Sequence, residues 1–328
     1  MKERFLPIFL LACLALATAV QPVNAEPSPN SKQKAVLVTG ASSGIGLRIT
    51  EHLTAQGHFV YAGARKDADI ERLNAMKNVQ AIRLDVNDHE QITAAVKTIS
   101  EAGRGLHGLV NNAGVGVLWP LIEIPESEFD FQMQVNLYGP YRVTRAFAPL
   151  IIENKGRITT IGSISGILSG TLFGPYSMSK HAMEAFADSL AREMDKFAVK
   201  VSIVEPGNFQ SDIGQNLYQR LQQVDPDLEQ SRYREEMQRL IESLKDSGEN
   251  PQADPIAVAR AVEHALFAEQ PKMRYMVVPN AQQAEITIRK AMEEMLQLNH
   301  DQAYSYDRAR LIKMLDEELV KLSPAQAE

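Results

Sequence analysis

Short apolar runs alternate with longer stretches whose apolar residues recur every three or four positions, from Lys34 to about Pro279. The first run, Ala35-Val36-Leu37-Val38, ends in Thr39-Gly40 and leads into an amphipathic stretch that closes near Leu53. That is the order of a strand feeding a helix. The same order predicts further strands near 58–62, 79–84, 106–110, 157–161, 200–204 and 275–278. Strands joined through helices pair in parallel by right-handed crossovers. The pattern therefore predicts an α/β fold, a Rossmann-type doubly wound parallel sheet of about seven strands with helices on both faces. Met183, Phe186, Ala187, Leu190, Met194 and Phe197 share one helix face, which predicts packing on the core or on a partner subunit.

Three regions break this rhythm. Residues 209–250 are polar, but Tyr233, Met237, Leu240, Ile241 and Leu244 recur at helical spacing. An amphipathic insertion after the carboxyl end of a strand is placed to act as a lid over the cleft of an open sheet. Beyond Pro279, Ile288/Met292/Met295/Leu296 and Leu311/Leu315/Leu319/Leu322 mark a helical extension over 281–328, expected to cover the body or an adjoining subunit. At the amino end, Lys2 and Arg4 precede an apolar run from Phe5 to Val20 and then Val23-Asn24-Ala25. This reads as a signal peptide over residues 1–25, followed by a polar linker over 26–33. A membrane anchor is the alternative, although the run is shorter than the ~20 residues that cross a bilayer.

Charge and rare residues narrow the function classes. The chain's 34 Lys and Arg against 41 Asp and Glu leave a net charge of −7 with no basic run, which argues against a nucleic-acid partner. One cysteine, Cys13, and seven histidines without metal-ligand spacing predict no internal disulfide and no metal site.

The candidate chemistry gathers at strand ends. Gly40, Ser42, Ser43, Gly44, Ile45 and Gly46 lie between the first strand and first helix. Glycines there allow a sharp turn and bring backbone amides to a phosphate, at a helix terminus that favours an anion. At the end of the second strand Ala64-Arg65-Lys66 replaces the carboxylate that would hold ribose hydroxyls. A guanidinium suits a 2′-phosphate, so NADP is expected and NAD remains possible. Asp85 closes the third strand, as an acceptor for an adenine amino group or as a helix cap. Asn112-Ala113-Gly114 follows the fourth strand, with Asn112 expected to bridge strands, and Pro206-Gly207 closes the sixth.

Tyr176 and Lys180 are one helical turn apart, with Ser163 at an earlier strand end and Asn136 inside a helical segment. A phenol with a pKa of ~10 needs about 4 kcal/mol of preferential anion stabilisation to act as a base at neutral pH, and a neighbouring ammonium can supply much of it. Ser165 and His181 adjoin these residues, in packing or surface roles. Trp119, Phe173 and Phe209 follow strand ends and would form an apolar substrate wall or ordinary core.

Taken in order, these motifs resemble the short-chain dehydrogenase/reductase superfamily, in its single-domain branch, over roughly 34–279. Val60-Tyr61-Ala62-Gly63-Ala64-Arg65, the stretch from Gly174 to Lys180, and Glu205-Pro206-Gly207-Asn208-Phe209 are most similar to the steroid and retinol dehydrogenase group. The resemblance implies a dinucleotide-binding and catalytic domain over 34–280. Its activity would be hydride transfer between NADP(H) and a secondary alcohol or carbonyl of a fairly apolar substrate, steroid-, retinoid- or ketone-like. It implies that Tyr176 is the general acid or base, and that Lys180 holds the nicotinamide ribose and lowers the phenol pKa. Ser163 would hydrogen-bond the substrate oxygen, and Asn136 would fix a water that links Lys180 to solvent. The cofactor would also meet Asp85, Val86, Asn112, Ala113, Gly114, Pro206 and Gly207. A homodimer or homotetramer is implied as well. A non-catalytic NADP(H)-binding sensor or scaffold is the alternative, against which the complete Asn136/Ser163/Tyr176/Lys180 set counts. The leader implies export to a periplasm or the exterior, or membrane association through the amino terminus. A cytoplasmic location is the alternative, and NADP(H) is scarce outside the cytoplasm.

Overall fold

The computed structural model describes residues 33–224, 226–245 and 252–322. The expected leader, the linker up to residue 32 and Cys13 lie outside the described residues. Among the described residues no helix is long and apolar enough to cross a membrane.

Seven parallel strands form one sheet: β1 (Ala35–Val38), β2 (Phe59–Ala64), β3 (Val79–Arg83), β4 (Gly108–Asn111), β5 (Arg157–Ile161), β6 (Lys200–Pro206) and β7 (Arg274–Val277). Their spatial order, β3-β2-β1-β4-β5-β6-β7, reverses direction between β1 and β4. Such a switch point opens a crevice at the strands' carboxyl ends, where open α/β sheets bind ligands. The four residues of β1 are all buried, as expected of a strand covered on both faces.

The helices that cover the sheet divide into two layers. On one face, α3 (His89–Glu101), α5 (Gly139–Glu153) and α6 (Gly174–Met194) bury Ile92, Phe147, Ile151 and Met194 against Leu37, Leu109 and Ile158. On the other, α1 (Gly44–Ala55), α2 (Asp67–Asn74) and α9 (Ile256–Phe267) bury Ile49, Leu53, Leu73, Val258 and Val262 against Val36, Val38 and Val110. The face expected on α6 does enter the core through Met183, Ala187 and Met194, while Phe197 lies beyond the helix and is exposed.

The polar insertion contains two helices, α7 (Ile213–Val224) and α8 (Arg234–Lys245). Leu217, Leu221 and Met237 pack on Leu118, Trp119 and Leu172 to form a separate apolar cluster, with Tyr176 against its edge. Helix α4 (Glu126–Met133) approaches this lid from below. It then passes through a π-helical turn, 134–138, into α5.

The carboxyl-terminal patterns form α10 (Ala281–Asn299) and α11 (Arg308–Leu322). Of the two expected roles, covering the body is met only in part: Met295, Leu311 and Met314 face a hollow shared with Ile167 and His181, while Ile288, Met292, Leu296, Leu315, Leu319 and Leu322 are exposed in the single chain. Helix α10 is nevertheless fastened at its start. Asn280 Oδ1 accepts from Gln283 N, and Gln283 Oε1 accepts from Asn208 N at 2.8 Å. That carbonyl fills the space which a side chain on Gly207 would need.

Candidate active site

The turn after β1 is built around backbone. Gly40 has φ +63° and Gly44 φ +52°, in the left-handed region that glycine enters freely. A Cβ on Gly46 would run into the Gly40 carbonyl. Asn112 Nδ2 donates to Thr39 O at 2.9 Å and Gly40 O at 3.1 Å, while Thr39 Oγ1 accepts from Asn112 N and Ala113 N. Asn112 is thus the expected bridge, tying the glycine-rich turn to the end of β4. Ser43, the N-cap of α1, makes no side-chain capping bond, so its side chain leaves the amides of the first turn of α1 free to meet an anion.

Three guanidinium groups surround the end of β2. Arg65 is 63% exposed at its side chain, with Nη1 3.8 Å from Asp85 Oδ2. Arg72 of α2 donates to Ser42 O at 2.5 Å and to Asp69 at 3.0 Å. Arg83 donates to Arg65 O at 2.6 Å and also pairs with Asp67. Asp85 does not cap a helix. Its Oδ1 accepts from Asn87 N at 2.9 Å, and Asp88 caps α3 by accepting from Glu90 N and Gln91 N. Val86 is buried against Gly139, where a Cβ would lie 2.6 Å from Val86 Cγ2.

At the end of β5 the chain enters a 3-10 turn, in which Ser163 Oγ accepts from Ser165 N at 3.0 Å. Ser165 therefore shapes the turn, as expected of a packing role. Tyr176 and Lys180 descend into the same space from the first turns of α6. Leu172, just before that helix, holds φ +68°, a strained value for a side chain of its size, and its carbonyl accepts from Trp119 N at 2.8 Å. The strain is held where the chain turns to deliver Tyr176.

Ser163 lies beside the Tyr176 phenol. Lys180 Nζ lies 5.7 Å from the Tyr176 ring centroid and donates to Ile161 O at 3.0 Å. Burial pushes the Tyr176 phenol above its ordinary value, and the neighbouring Ser163 opposes that shift. Burial also pushes the Lys180 amine down to about 8, opposed by the charge of Glu184. In the chain alone burial governs both groups, raising the phenol and lowering the amine.

Asn136 stands in the π-turn, which rotates its side chain off the α-helical path. Its Oδ1 accepts from Val115 N at 2.8 Å, and its Nδ2 donates to Val115 O at 2.9 Å and Ser179 Oγ at 3.2 Å. Gln132 makes a parallel clasp on Val117 N, Val115 O and Ser179 Oγ. Both amides pin the strand-end loop 115–117 to α6. A water held by Asn136 would have to use its backbone, because the side chain is already committed.

The arrangement is decided by order in the chain as well as by position. Residues 34–222 match the family model described as short chain dehydrogenase. The chain belongs to that family. It is an oxidoreductase of the steroid- and retinol-dehydrogenase-like group. Mitochondrial D-beta-hydroxybutyrate dehydrogenase of Rattus norvegicus is 34% identical over 263 residues, covering 74% of this chain and 76% of that protein. Uncharacterized oxidoreductase YbbO of Escherichia coli strain K12 is 35% identical over 247 residues, 75% and 86% of the two chains. Retinol dehydrogenase 7 of Rattus norvegicus is 33% identical over 258 residues, 74% and 80%.

Among solved structures, a short-chain dehydrogenase from Streptomyces avermitilis superposes with a TM-score of 0.67 at 28% identity, covering 81% of this chain and 95% of its own. One from Burkholderia cenocepacia in complex with NADP gives 0.63 at 23% identity, covering 81% and 96%. One from Burkholderia phymatum in complex with NAD gives 0.67 at 24%, covering 84% and 99%. The last two likenesses bear on the fold alone.

Of the three aromatic residues expected as a substrate wall or ordinary core, the structure brings only Trp119 beside Tyr176. Trp119 is 5% exposed in the apolar cluster that borders Tyr176. Phe209 instead points into the opposite layer with Val258 and Val262, and Phe173 is 40% exposed outside both. A cavity of about 530 Å³ lies between the lid and the loop after β4, lined by Trp119, Glu123, Leu228, Ser231, Arg232 and Met237. His181 turns its Nδ1 to Ser177 O at 2.9 Å and borders a hollow of about 500 Å³ under α10 and α11, away from Tyr176. Arg72, Gln132 and the lid helix α7 are the participants that sequence reasoning missed. For α7, Leu217 and Leu221, four residues apart, offer the signal.

Proposed function

We propose that this dehydrogenase interconverts a secondary alcohol and a carbonyl of a fairly apolar molecule with NADP(H). The observation that supports the reading best is the placing of Lys180 Nζ 5.7 Å from the Tyr176 ring, one turn along the same helix, with Tyr176 bordered by Ser163 and by the apolar lid cluster. Two neighbouring hydroxyls are placed to meet one substrate oxygen. Tyr176 gives or takes its proton, and Ser163 steadies the charge that grows on the oxygen. A phenol raised by burial stays protonated at neutral pH, which suits donation to a carbonyl. The bound nicotinamide supplies the hydride, and the protein supplies alignment and the proton.

The residues present fit a dinucleotide. The glycine cradle at Gly40 and Gly46 has no room for side chains, and the α1 amides that Ser43 leaves uncapped suit a pyrophosphate. Lys180 carries three N–H donors and gives one to Ile161 O, which leaves donors for ribose hydroxyls. Arg65 with Arg72 and Arg83 nearby favours the 2′-phosphate of NADP over the hydroxyl of NAD. Trp119 and Leu118 are proposed as the apolar wall, which fits a ring-bearing or long aliphatic substrate better than a charged one.

We further propose export or membrane association through residues 1–25, and assembly as a homodimer or homotetramer; amino-terminal mass measurement with fractionation, and light scattering, test these. For the activity itself, NADPH oxidation over a panel of steroids, retinoids and simple ketones should show turnover that falls at least about a thousandfold in Tyr176→Phe, while NADPH affinity is retained. Undiminished turnover in that variant removes the proposed acid. Silence of the wild type across the panel, with micromolar cofactor binding, would favour a sensor.

A further inference from the structure

Beneath the Ser163 turn lies a carboxyl that none of the roles above uses. Glu184 stands one helical turn beyond Lys180 on α6, with its side chain 14% exposed. Its carboxyl fits between two glycines that bracket Ser163. A Cβ on Gly162 would sit 3.1 Å from Glu184 Oε1, and one on Gly166 would sit 2.8 Å from it. The absence of side chains at both positions is what lets the carboxyl reach up under the turn.

The groups facing Glu184 come from three elements. On α6 they are Lys180 and Asp188. From β6 comes Glu205, 3% exposed, whose carboxyl neighbours that of Glu184. From β7 comes Arg274, with Nε 3.3 Å from Glu184 Oε2 and 3.5 Å from Glu205 Oε1, and Nη2 2.8 Å from Asp188 Oδ2. The Ser163 turn adds no titratable group.

Two carboxyls in contact resist ionising together. Glu184 Oε1 is buried without a hydrogen-bond donor among the described residues, and Glu205 Oε1 has only the Arg274 guanidinium at 3.5 Å, so a proton carried by the pair would satisfy them. Burial and the neighbouring Glu205 push Glu184 up to about 8, against the pull of Arg274. Lys180, driven down by burial, titrates in the same range with Glu184 as the charge that opposes its fall. Protons lost from such a set belong to the set, and the amine and the carboxyl share the outcome.

We propose that Glu184 is a positioning residue of the Tyr176–Lys180 site: wedged under the glycine-flanked Ser163 turn, its carboxyl takes up negative charge as the acid pair loses its proton and so keeps the proton on Lys180. The inference rests on the role proposed above for Lys180. Without the carboxylate, a buried amine would shed its proton at lower pH. With it, the ammonium survives to higher pH and Lys180 remains a donor.

Glu184→Gln keeps the shape and removes the charge. In the cofactor-free protein labelled with ¹³C-lysine, the Lys180 Cε resonance, identified by its loss in Lys180→Met, should titrate about one pH unit lower in Glu184→Gln. The alkaline limb of kcat should move down with it. A merely structural role would lower kcat or Tm and leave the Lys180 titration in place, and that result overturns the proposal. Glu205→Gln removes the competing acid but keeps Glu184, so Lys180 should titrate at or above its wild-type position; a lower position overturns the proposal, and this variant serves even if Glu184→Gln does not fold. Should Tyr176→Phe keep its turnover, the catalytic reading fails while the NMR titration still reports on the Glu184–Lys180 pair, so the two failures are distinguishable.

Discussion

Arg220 of the lid grips Glu128 of α4 through both carboxylate oxygens, with Nε 2.5 Å from Oε2 and Nη2 2.9 Å from Oε1. The guanidinium carbon also lies 3.6 Å from the Phe131 ring centroid. Glu128 is 6% exposed, so the pair is largely desolvated. Glu123 adds a second clasp, accepting from Ser231 Oγ at 2.6 Å and Arg232 N at 2.9 Å. The lid is therefore anchored by charge to the helix that continues into Asn136, and by apolar contact to Trp119.

Arg220→Leu leaves a buried carboxylate without its partner. Loss of one member of a buried pair costs about 3–5 kcal/mol when fully desolvated, and the partly exposed Arg220 places this case nearer 2 kcal/mol. We expect a lower Tm and a raised KM for the carbonyl substrate, with NADPH affinity within about twofold of wild type because the pair ties α7 to α4, whereas the glycine-rich turn meets the insertion at Ser211. Isothermal titration with NADPH beside steady-state kinetics checks the split. A fall in NADPH affinity matching the rise in KM would show that the pair supports the whole cleft.

Arg65→Ala should weaken NADP binding by roughly ten- to a hundredfold, the scale of one or two charge-assisted hydrogen bonds, and leave NAD nearly unchanged. Arg72→Ala should weaken both cofactors, because its guanidinium holds the Ser42 carbonyl of the shared pyrophosphate turn. Fluorescence titration with the two dinucleotides separates these outcomes. Equal losses for NADP and NAD in Arg65→Ala would remove the 2′-phosphate assignment.

His107 sits behind the carboxyl-end chemistry, at the start of β4. Its Nε2 meets Leu266 O at 2.9 Å and its ring stacks 5.2 Å from Phe267. Burial lowers its pKa from 6.5 to about 4. A folded value below the ordinary one contributes stability that is present above pH 6.5 and lost as pH falls toward 4, since the unfolded chain takes up the proton first. The contribution is about 1–2 kcal/mol after allowance for the ring's partial contact with water. Tm measured from pH 7 to pH 4 should fall less steeply in His107→Phe than in wild type; parallel slopes would exclude the imidazole as the source.

Much of the fold was legible because strands buried on both faces become plain apolar runs. Ala35–Val38 and Arg157–Ile161 are the same in pattern and in structure. Tyr176 and Lys180 were legible because a helix converts a spacing of four into proximity. What stayed hidden depends on contacts between elements far apart in sequence. No local pattern shows that Arg72 reaches back to Ser42, or that the two glycines around Ser163 leave room for Glu184. Phe209 was misplaced for a related reason: one residue's rotation at a strand end decides which face of the sheet receives the ring, and periodicity is silent past the strand. The π-turn at Asn136 is invisible in composition, because it inserts into a helix without changing the apolar stripe.

The hydrogen bond from Asn208 to Gln283 makes the carboxyl-terminal arm a splint for the floor of the cleft, not an ornament hung outside it. One amide oxygen occupies the vacancy beside Gly207, so tugging, clipping or crowding the arm would be transmitted to the backbone at the carboxyl end of β6. A purification handle fused to that end is mechanically in series with the chemistry.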